Sequence, residues 1–379
     1  MKTLKSIAPF AAAFLLSLAS LALNAQPVTV FRPGEGGYEA FRAPAVVRTG
    51  DGTLVAFAEA HKDGSIDNGD VDIVLKRSED GGVSWTALAQ LWSDADNSCC
   101  SPAPVFDAQR GRLLLVATWN KGTDNEDRIR ENASEDTRRV YVLHSDDGGR
   151  SWSEAREISG QVRQDDWTWY TTGPGHAIQL ASGEHAGRIV VPCSHTRYVD
   201  GIVLGHSHLI YSDNGGRDWH IGGVAQSGSE CAVAELRDGS LIVNMREFKF
   251  HKNSSIKNLR QVAFSVDGGE TLGGAFSDEG LPEPVCQGAM VSYPLKSKKK
   301  SGLLFCNPAS KTGRKDFTVK YSEDAGRSWK AIYHSPFAMA GYSDMAVLAN
   351  GSVAVLYEAG NDSPCESVVV DIIPASSVK

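Results

Sequence analysis

The chain has 379 residues, of which 41% are hydrophobic and 22% charged, a composition that supports a large buried core and excludes a disordered or collagen-like protein. Asp and Glu number 46 against 38 Lys and Arg, and the formal net charge is −8. Because no basic run is longer than Lys298–Lys300, the sequence predicts no nucleic-acid partner. The seven cysteines show no C-x-x-C spacing, so no metal site and no cofactor are expected.

Residues 1–25 are predicted to be a secretory signal peptide, with Lys2 and Lys5 preceding the apolar stretch Phe10–Leu23 and small residues near Ala25. The apolar stretch of about 14 residues is shorter than the roughly 20 that a membrane-spanning helix needs. We therefore expect a secreted or periplasmic protein without membrane insertion, in which residues 26–379 form a single domain.

Two repeated patterns predict the fold. The first is the skeleton Ser-x-Asp-x-Gly-x-Ser/Thr-Trp, whose Asp and Gly suit a tight turn after a strand. The second is a pair of apolar runs joined by a Gly-containing turn, and it occurs six times. Six units of about 60 residues predict an all-β, six-bladed β-propeller of four-stranded antiparallel blades. The five copies of the first pattern, two of them imperfect, are Ser78–Trp85, Ser145–Trp152, Ser212–Trp219, Ser265–Leu272 and Ser322–Trp329.

The register of each inner hairpin predicts which polar residues meet at one rim of the ring. Folding about a central turn places the start of one strand beside the end of the next. This register brings Glu230 opposite Arg246, and Tyr342 opposite Glu358. It also brings Arg42 opposite the end of the second strand at His61. Since a propeller gathers its innermost strands around a central depression, we expect these side chains to line one concave site.

Three arginines from different blades, Arg42, Arg246 and Arg314, are predicted neighbours in this depression. Like charges that are buried together require anionic partners, and the forked guanidinium group suits a carboxylate ligand. Phosphate and sulfate satisfy the same charge requirement, so the residues alone leave these ligands open.

Several short segments carry a recognisable pattern: Phe41–Pro44, Asp67–Ser78, Trp169–Gly175, Ser229–Glu230, Asn244–Arg246, Asn307–Pro308, Arg314, Tyr342–Ser343 and Glu358. These segments resemble those of the bacterial exo-α-sialidases (neuraminidases) of the retaining glycoside hydrolase family 33 type with Asp-box repeats. The resemblance covers nearly the whole mature chain.

The resemblance implies an exo-α-sialidase that releases terminal sialic acids from glycoconjugates with retained configuration. It implies that the three arginines bind the sugar carboxylate and that Glu358 holds Arg42. It further implies Tyr342 as nucleophile, Glu230 as the base that accepts its proton, and Asp67 as acid and base at the glycosidic oxygen. Asp63, Asp70 and a calcium-binding role remain alternatives for the acidic loop around Asp67.

Further sugar contacts are less well defined. Trp119, Trp169 and Tyr170 are candidates for stacking on sugar faces, although a propeller also places aromatic residues between blades. His61 stands where members of the resembled family commonly have a further arginine, so the preferred sugar could be N-acetylneuraminic acid, a deaminated form (Kdn) or a Kdo-like acid. A transferase of such sugars and a catalytically silent carbohydrate-binding propeller are the rival functions.

Overall fold

The computed structural model describes residues 26–64, 68–248, 257–295 and 300–378. The predicted signal peptide and Asp67 lie outside these residues. The helices within them are short: α1 spans Glu126–Arg130, α2 spans Ser159–Val162, and two 3-10 turns span Glu35–Gly37 and Ala375–Val378. In the described part of the chain, no helix has the length and apolar character to cross a membrane.

In the ranges that the structure describes, twenty-five strands make up the rest of the regular structure. The first fourteen are β1 (Val28–Phe31), β2 (Ala40–Arg48), β3 (Leu54–His61), β4 (Val71–Ser78), β5 (Ala89–Trp92), β6 (Ser98–Asp107), β7 (Arg112–Asn120), β8 (Arg139–Ser145), β9 (Arg156–Glu157), β10 (Trp167–Thr172), β11 (Ile178–Gln179), β12 (Ile189–Val199), β13 (Ile202–Ser212) and β14 (His220–Val224). The remaining eleven are β15 (Cys231–Glu235), β16 (Leu241–Met245), β17 (Leu259–Ser265), β18 (Phe276–Pro282), β19 (Ala289–Tyr293), β20 (Gly302–Pro308), β21 (Phe317–Ser322), β22 (Lys330–His334), β23 (Met339–Val347), β24 (Val353–Gly360) and β25 (Ser367–Ile373).

Hydrogen bonds group these strands into five sheets: β2–β9, β10–β14, β15–β18, β19–β22, and β23–β25 with β1. The prediction of an all-β, antiparallel architecture is confirmed. The structure has five hydrogen-bonded sheets in its described residues, so the prediction of six separate four-stranded sheets is wrong in the number of sheets. The number is lower because Val71 of β4 pairs in parallel with Ser98 of β6, and this pair joins strands β2–β9 into a single eight-stranded sheet.

The innermost strands close a ring. Strands β2, β6, β11, β15, β19 and β23 contact one another in this order, and β23 contacts β2 again. Closure also involves the first and last described strands, because β1 pairs with β25. Strand β25 lies inside its sheet, and β1 covers its outer edge. This pairing of the first and last described strands within one sheet helps to close the ring.

The repeated Ser-x-Asp motif forms turns, as predicted. In its first copy the Ser78 hydroxyl accepts a hydrogen bond from Gly82 N at 2.8 Å and donates one to Asp80 at 2.8 Å. Hydrogen bonds to Asp80, mainly from Ser84, lower the pKa of that carboxyl to about 2. The tryptophan of the second copy, Trp152, packs edge-on against Phe57 of β3, with 5.9 Å between the ring centres.

Apolar side chains fill the space between successive strand groups. Phe57 and Leu75 of β3 and β4 pack with Leu113 and Leu115 of β7, and all four are buried. Burying side chains of this size contributes about 1.5–3 kcal/mol each. The packed core therefore holds the ends of the inner strands as a rigid frame for the polar groups that they carry.

Candidate functional site: a polar pocket in the ring

A pocket of about 270 Å³ opens among the inner strands and the loops that follow them. Its lining is dominated by charged and polar side chains from sequence-distant segments. The residues are Arg42, Ala43, Glu59, Cys100, Ser101, Glu126, Arg130, Arg138, Trp169, Thr171, Pro174, Ser229, Glu230, Arg246, Arg314 and Tyr342. Most of the site residues that the sequence predicts thus lie together.

Tyr342, Glu230 and Arg246 form one hydrogen-bonded group in this pocket. The phenolic hydroxyl of Tyr342 donates a short hydrogen bond to Oε1 of Glu230. Nη1 of Arg246 donates to both oxygens of Glu230, at 2.8 and 2.6 Å, and lies 3.1 Å from the Tyr342 hydroxyl. Hairpin register causes the Glu230–Arg246 proximity, because Arg246 N also donates to the Glu230 carbonyl at 2.9 Å.

The ionisation of this group follows from its surroundings. Burial favours the neutral form of Glu230, but the charge of Arg246 and the hydrogen bonds from Tyr342 and Arg246 outweigh burial and lower its pKa to about 2. Burial and the charge of Glu230 raise the pKa of Tyr342 well above 10, although Arg246 and Arg314 oppose this shift. In the resting state the phenol is therefore neutral and the carboxylate is ionised.

Glu358 connects β24 to the backbone of the two strands that carry Arg42 and Tyr342. Its Oε1 accepts from Ala43 N at 3.0 Å and lies 3.4 Å from Nε of Arg42. Its Oε2 accepts from Tyr342 N at 3.0 Å. The fully buried Glu358 side chain thus fixes the spacing between the first arginine and the phenol.

Arg314 and Arg42 approach the Tyr342 ring, with guanidinium carbons 5.3 and 5.7 Å from the ring centre. Within the described residues, no carboxylate oxygen lies within 4 Å of the Arg314 side chain, in contrast to Arg246, which is paired with Glu230. The neighbouring Cys286, Tyr342 and Glu358 raise the pKa of Arg314 against the effect of burial. The site therefore presents a permanent positive charge that a ligand anion can neutralise.

Of the predicted sugar contacts, Trp169 lines the pocket, and the Arg138 guanidinium stacks on its ring at 3.7 Å. The prediction for Tyr170 is wrong: its side chain is fully buried and its hydroxyl bonds to His208 at 2.9 Å. Successive residues of β10 point to opposite faces, so only one of the two aromatic residues can face the pocket.

His61 and Trp119 also lie away from the pocket. His61 is enclosed at the end of β3, between β2 and β4, and its Nε2 lies 3.3 Å from Oε2 of Glu59. Trp119 belongs to the second strand of its hairpin, and its indole donates to Asp94 at 2.7 Å. Neither side chain contributes to the pocket lining. Asp67, the predicted acid and base, is outside the described residues, so its role stays a prediction.

The sequence did not predict several lining residues, and those that carry charge are Glu59, Glu126, Arg130 and Arg138. The hairpin register could have identified Glu59, because Glu59 of β3 is the cross-strand partner of Arg42 of β2. No comparable signal existed for Arg130, which α1 carries in the long connection between β7 and β8. Across the ranges that the structure describes, no group of three or more His, Cys, Asp or Glu side chains is arranged to hold a metal ion.

The chain is similar to a known protein family and to several sialidases. Residues 52–355 match the family described as BNR repeat-like domain. The chain is 28% identical over 351 residues to a sialidase of Bacteroides fragilis, covering 87% of this chain and 62% of that protein. It is 30% identical to an exo-alpha-sialidase of Aspergillus fumigatus, covering 76% of this chain and 69% of that one. The chain thus spans less than two thirds of the bacterial relative's length.

Among solved structures, a Hadza microbial sialidase superposes with a TM-score of 0.82 at 28% identity, covering 93% of this chain and 69% of that chain. The β-propeller fold is therefore confirmed. The chain belongs to the sialidase family and carries its BNR repeat-like domain.

Proposed function

We propose that the protein is an exo-α-sialidase, a glycoside hydrolase that releases terminal sialic acids from glycoproteins, glycolipids and oligosaccharides with retention of configuration. The observation that carries this proposal is the contact of the Tyr342 hydroxyl with Glu230 beside three arginines in one pocket. Membership of the sialidase family supports the substrate class.

Binding is explained by the arginines. A sialic acid carries a carboxylate on its anomeric carbon, and Arg42, Arg246 and Arg314 supply donors around the place where this group would lie. Arg314 lacks a carboxylate partner among the described residues, so substrate binding would neutralise its charge. Charge-assisted hydrogen bonds of this kind are about twice as strong as neutral ones.

The nucleophile is explained by the same charge distribution. An ionised Asp or Glu would approach the anomeric carbon against the substrate carboxylate, whereas the neutral Tyr342 does not. As the phenolic oxygen forms its bond to the anomeric carbon, its proton passes to Glu230 along the existing hydrogen bond. The high pKa of the Tyr342 phenol and the pKa of Glu230 near 2 mean that this transfer accompanies bond formation instead of preceding it.

Asp67 completes the proposed cycle. In the first step it protonates the departing glycosidic oxygen while the bond to the sugar breaks. In the second step it removes a proton from water, which attacks the anomeric carbon, and the released Tyr342 oxygen recovers its proton from Glu230. The product is the free sugar with its starting configuration.

The proposal extends to organisation and location. We count the eight-stranded sheet as two blades joined by the Val71–Ser98 pair, which gives six blades around the six inner strands. Residues 1–25 would act as a signal peptide, and residues 26–379 would be the catalytic domain of a secreted or periplasmic enzyme.

The test is hydrolysis of a fluorogenic α-sialoside by the wild type and by Tyr342→Phe, with NMR of the first sugar product. We expect release of the α-anomer by the wild type and loss of release in the variant. Equal rates for the two proteins, or a β-anomer as first product, would contradict the tyrosyl intermediate. Kdn and Kdo-like glycosides and an acceptor sugar in the same assay distinguish the rival substrates and transfer.

A further inference from the structure

A second cavity, of about 620 Å³, lies at the end of the ring opposite the polar pocket. The polar pocket is lined by residues in the first halves of inner strands, such as Arg42 of β2 and Tyr342 of β23. The second cavity is lined by the last residues of the same two strands, Val46–Arg48 and Met345–Val347. All six inner strands contribute to this rear cavity, and the two spaces share no lining residue. The proposed mechanism gives the rear cavity no task.

The segment between β10 and β11 separates the rear cavity from the polar pocket. Pro174 lines the polar pocket, and His176, two residues further along the chain, lines the rear cavity. The backbone N and Nδ1 of His176 bond to the Asp344 carboxylate at 2.9 and 2.6 Å. The Gln287 amide donates to the carbonyls of Pro174 and Ser343, both at 3.0 Å. These contacts fix the segment as a partition, so a ligand of the rear cavity does not have to be a sugar.

The side chain of His176 carries a polar atom that is available to a ligand. This side chain is only 10% exposed, and that of Asp344 is fully buried. Nδ1 carries the proton in the contact with Asp344, because an ionised carboxylate only accepts hydrogen bonds. Among the described residues, the hydrogen bonds of His176 involve its backbone N and Nδ1. Its Nε2 therefore has no protein partner in this part of the chain.

Asp344 favours the protonated form of His176 and has no acceptor position left for a ligand. A carboxylate has about four acceptor positions, and Val46 N, Met345 N and the two nitrogens of His176 fill them. Burial lowers the pKa of His176, but the charge and the hydrogen bond of Asp344 outweigh burial and raise the pKa above its ordinary value of 6.5. Protonated His176 has a second donor on Nε2, for which a ligand can supply the acceptor.

Arg48 adds a permanent positive charge to the rear cavity. Its Nε donates to the Val347 carbonyl at 3.0 Å, and within the described ranges no carboxylate oxygen lies within 4 Å of its guanidinium group. Glu235 is the one acidic side chain among the described lining residues. Its oxygens already accept from Ala181 N at 2.7 Å, from Ser182 N at 3.0 Å and from the Ser182 hydroxyl. The charge of the lining therefore favours an anionic ligand.

Most of the remaining wall is apolar. Phe106, Ile178 and Val291 line the cavity, and each is half-buried. Sugar hydroxyls placed against such side chains would lose hydrogen bonds to water without replacement. A volume of 620 Å³ lies within the range of about 300–1,000 Å³ that is typical of small-molecule sites. The rear cavity thus suits a small ligand with an apolar body and one anionic group.

We propose that the rear cavity binds an apolar monocarboxylic acid, whose carboxylate accepts a hydrogen bond from Nε2 of His176 and whose body contacts Phe106, Ile178 and Val291. Arg48 contributes attraction for the anion. This site is independent of the proposed sialidase activity, because it uses none of the residues of the polar pocket.

Isothermal titration calorimetry of the wild type at pH 6, where His176 is protonated, tests the proposal with two acids of different shape, octanoate and 4-phenylbutyrate. The matched neutral ligands are 1-octanol and 4-phenylbutanol. We expect one molecule of at least one acid to bind per chain, with a Kd of about 1 mM or lower. The corresponding alcohol should bind about 10- to 100-fold more weakly, as for loss of a hydrogen bond to a charged group.

Two substitutions in the rear cavity locate the binding. His176→Gln removes the charge, so the variant should bind the acid no more tightly than the alcohol. Val291→Trp places a large ring in the cavity at a half-buried position and should weaken acid binding at least tenfold; it maintains the test if His176→Gln does not fold. Arg314→Met is the matched control, because it removes a cation from the polar pocket, and it should bind the acid as the wild type does.

Three results would overturn the proposal. The first is that neither acid binds to the wild type, which would make the rear cavity a water-filled space only. The second is equal affinity for an acid and its alcohol. The third is acid binding that is lost in Arg314→Met but kept in Val291→Trp, which would place the acid in the polar pocket. Hydrolysis of a sialoside enters none of these measurements, so failure of the proposed function would leave their outcome unaffected.

Discussion

The Tyr342 hydroxyl donates a hydrogen bond to Glu230 across 112 residues of chain. The contact joins the inner strand of the last sheet to the residue that precedes β15, and Arg246 donates hydrogen bonds to the same carboxylate. Neutral phenol, ionised base and fixed cation therefore contact one another in one cluster within the ring. This relationship determines the first predictions.

Replacing Tyr342 by Phe should remove the nucleophile without disturbing the fold. Glu230 keeps both hydrogen bonds from Arg246, so we expect kcat/KM to fall by about 10³-fold or more while Tm changes little. Rates on a fluorogenic sialoside and a thermal melt measure the two effects. A variant with wild-type turnover would exclude Tyr342 from the reaction.

Glu230→Gln should lower kcat/KM by about 10²- to 10⁴-fold, as for loss of a general base. Because the pKa of Glu230 is about 2, this group is ionised throughout the working range. The limbs of the pH–rate profile between about pH 4 and pH 8 therefore belong to other groups and should not move in the variant. An acid limb that disappears in Glu230→Gln would contradict the assigned ionisation.

The two arginines Arg246 and Arg314 should differ in what they contribute. Arg246→Met leaves Glu230 buried without its cation, so the free energy of unfolding should fall by about 3–5 kcal/mol. Arg314→Met removes a cation that has no carboxylate within 4 Å in the described part of the chain, so stability should change by less than about 1 kcal/mol.

In Arg314→Met, KM should nevertheless rise about 10- to 100-fold, because a charged hydrogen bond to the substrate is lost. Urea unfolding and steady-state kinetics of both variants provide the comparison. Equal destabilisation by the two substitutions would show that Arg314 is held by a structural ion pair and is not reserved for a ligand.

A buried histidine pair should make the fold acid-labile. Nδ1 of His195 lies 3.0 Å from Nδ1 of His208, and the His195 ring stacks on Trp167 at 3.5 Å. Burial lowers the pKa of His208 to about 3 and lowers that of His195 as well. The unfolded chain binds these protons below pH 6.5 and the folded chain does not, so stability is complete above pH 6.5 and falls towards pH 3.

His195→Phe keeps a ring against Trp167 and removes one titrating group. The slope of the unfolding free energy against pH between about 6 and 4 should decrease by up to about 1.4 kcal/mol per pH unit. His220→Phe, at an exposed histidine beside Tyr211, is the control and should leave the slope unchanged. An unchanged slope in His195→Phe would show that other groups cause the acid lability.

Much of the candidate site could be predicted from the sequence of each hairpin. The turn residues and the alternation of side chains along a strand determine which residues pair across a hairpin. The two pairs predicted in this way, Glu230–Arg246 and Tyr342–Glu358, are adjacent in the structure. The same period could have shown that Trp169 and Tyr170 face opposite sides of β10. Glu59 could have been found as well, since it is the register partner of Arg42.

By itself, the sequence determined the all-β repeats, the hairpin registers and the clustering of charge at one rim, because these depend on neighbours within a few tens of residues. Only the tertiary structure decided that Tyr342 meets Glu230, that His61 is enclosed while Arg138 covers Trp169, and that β1 closes the ring. Such contacts depend on how separate sheets pack around a common centre, and no local pattern of residues specifies the distance across that ring.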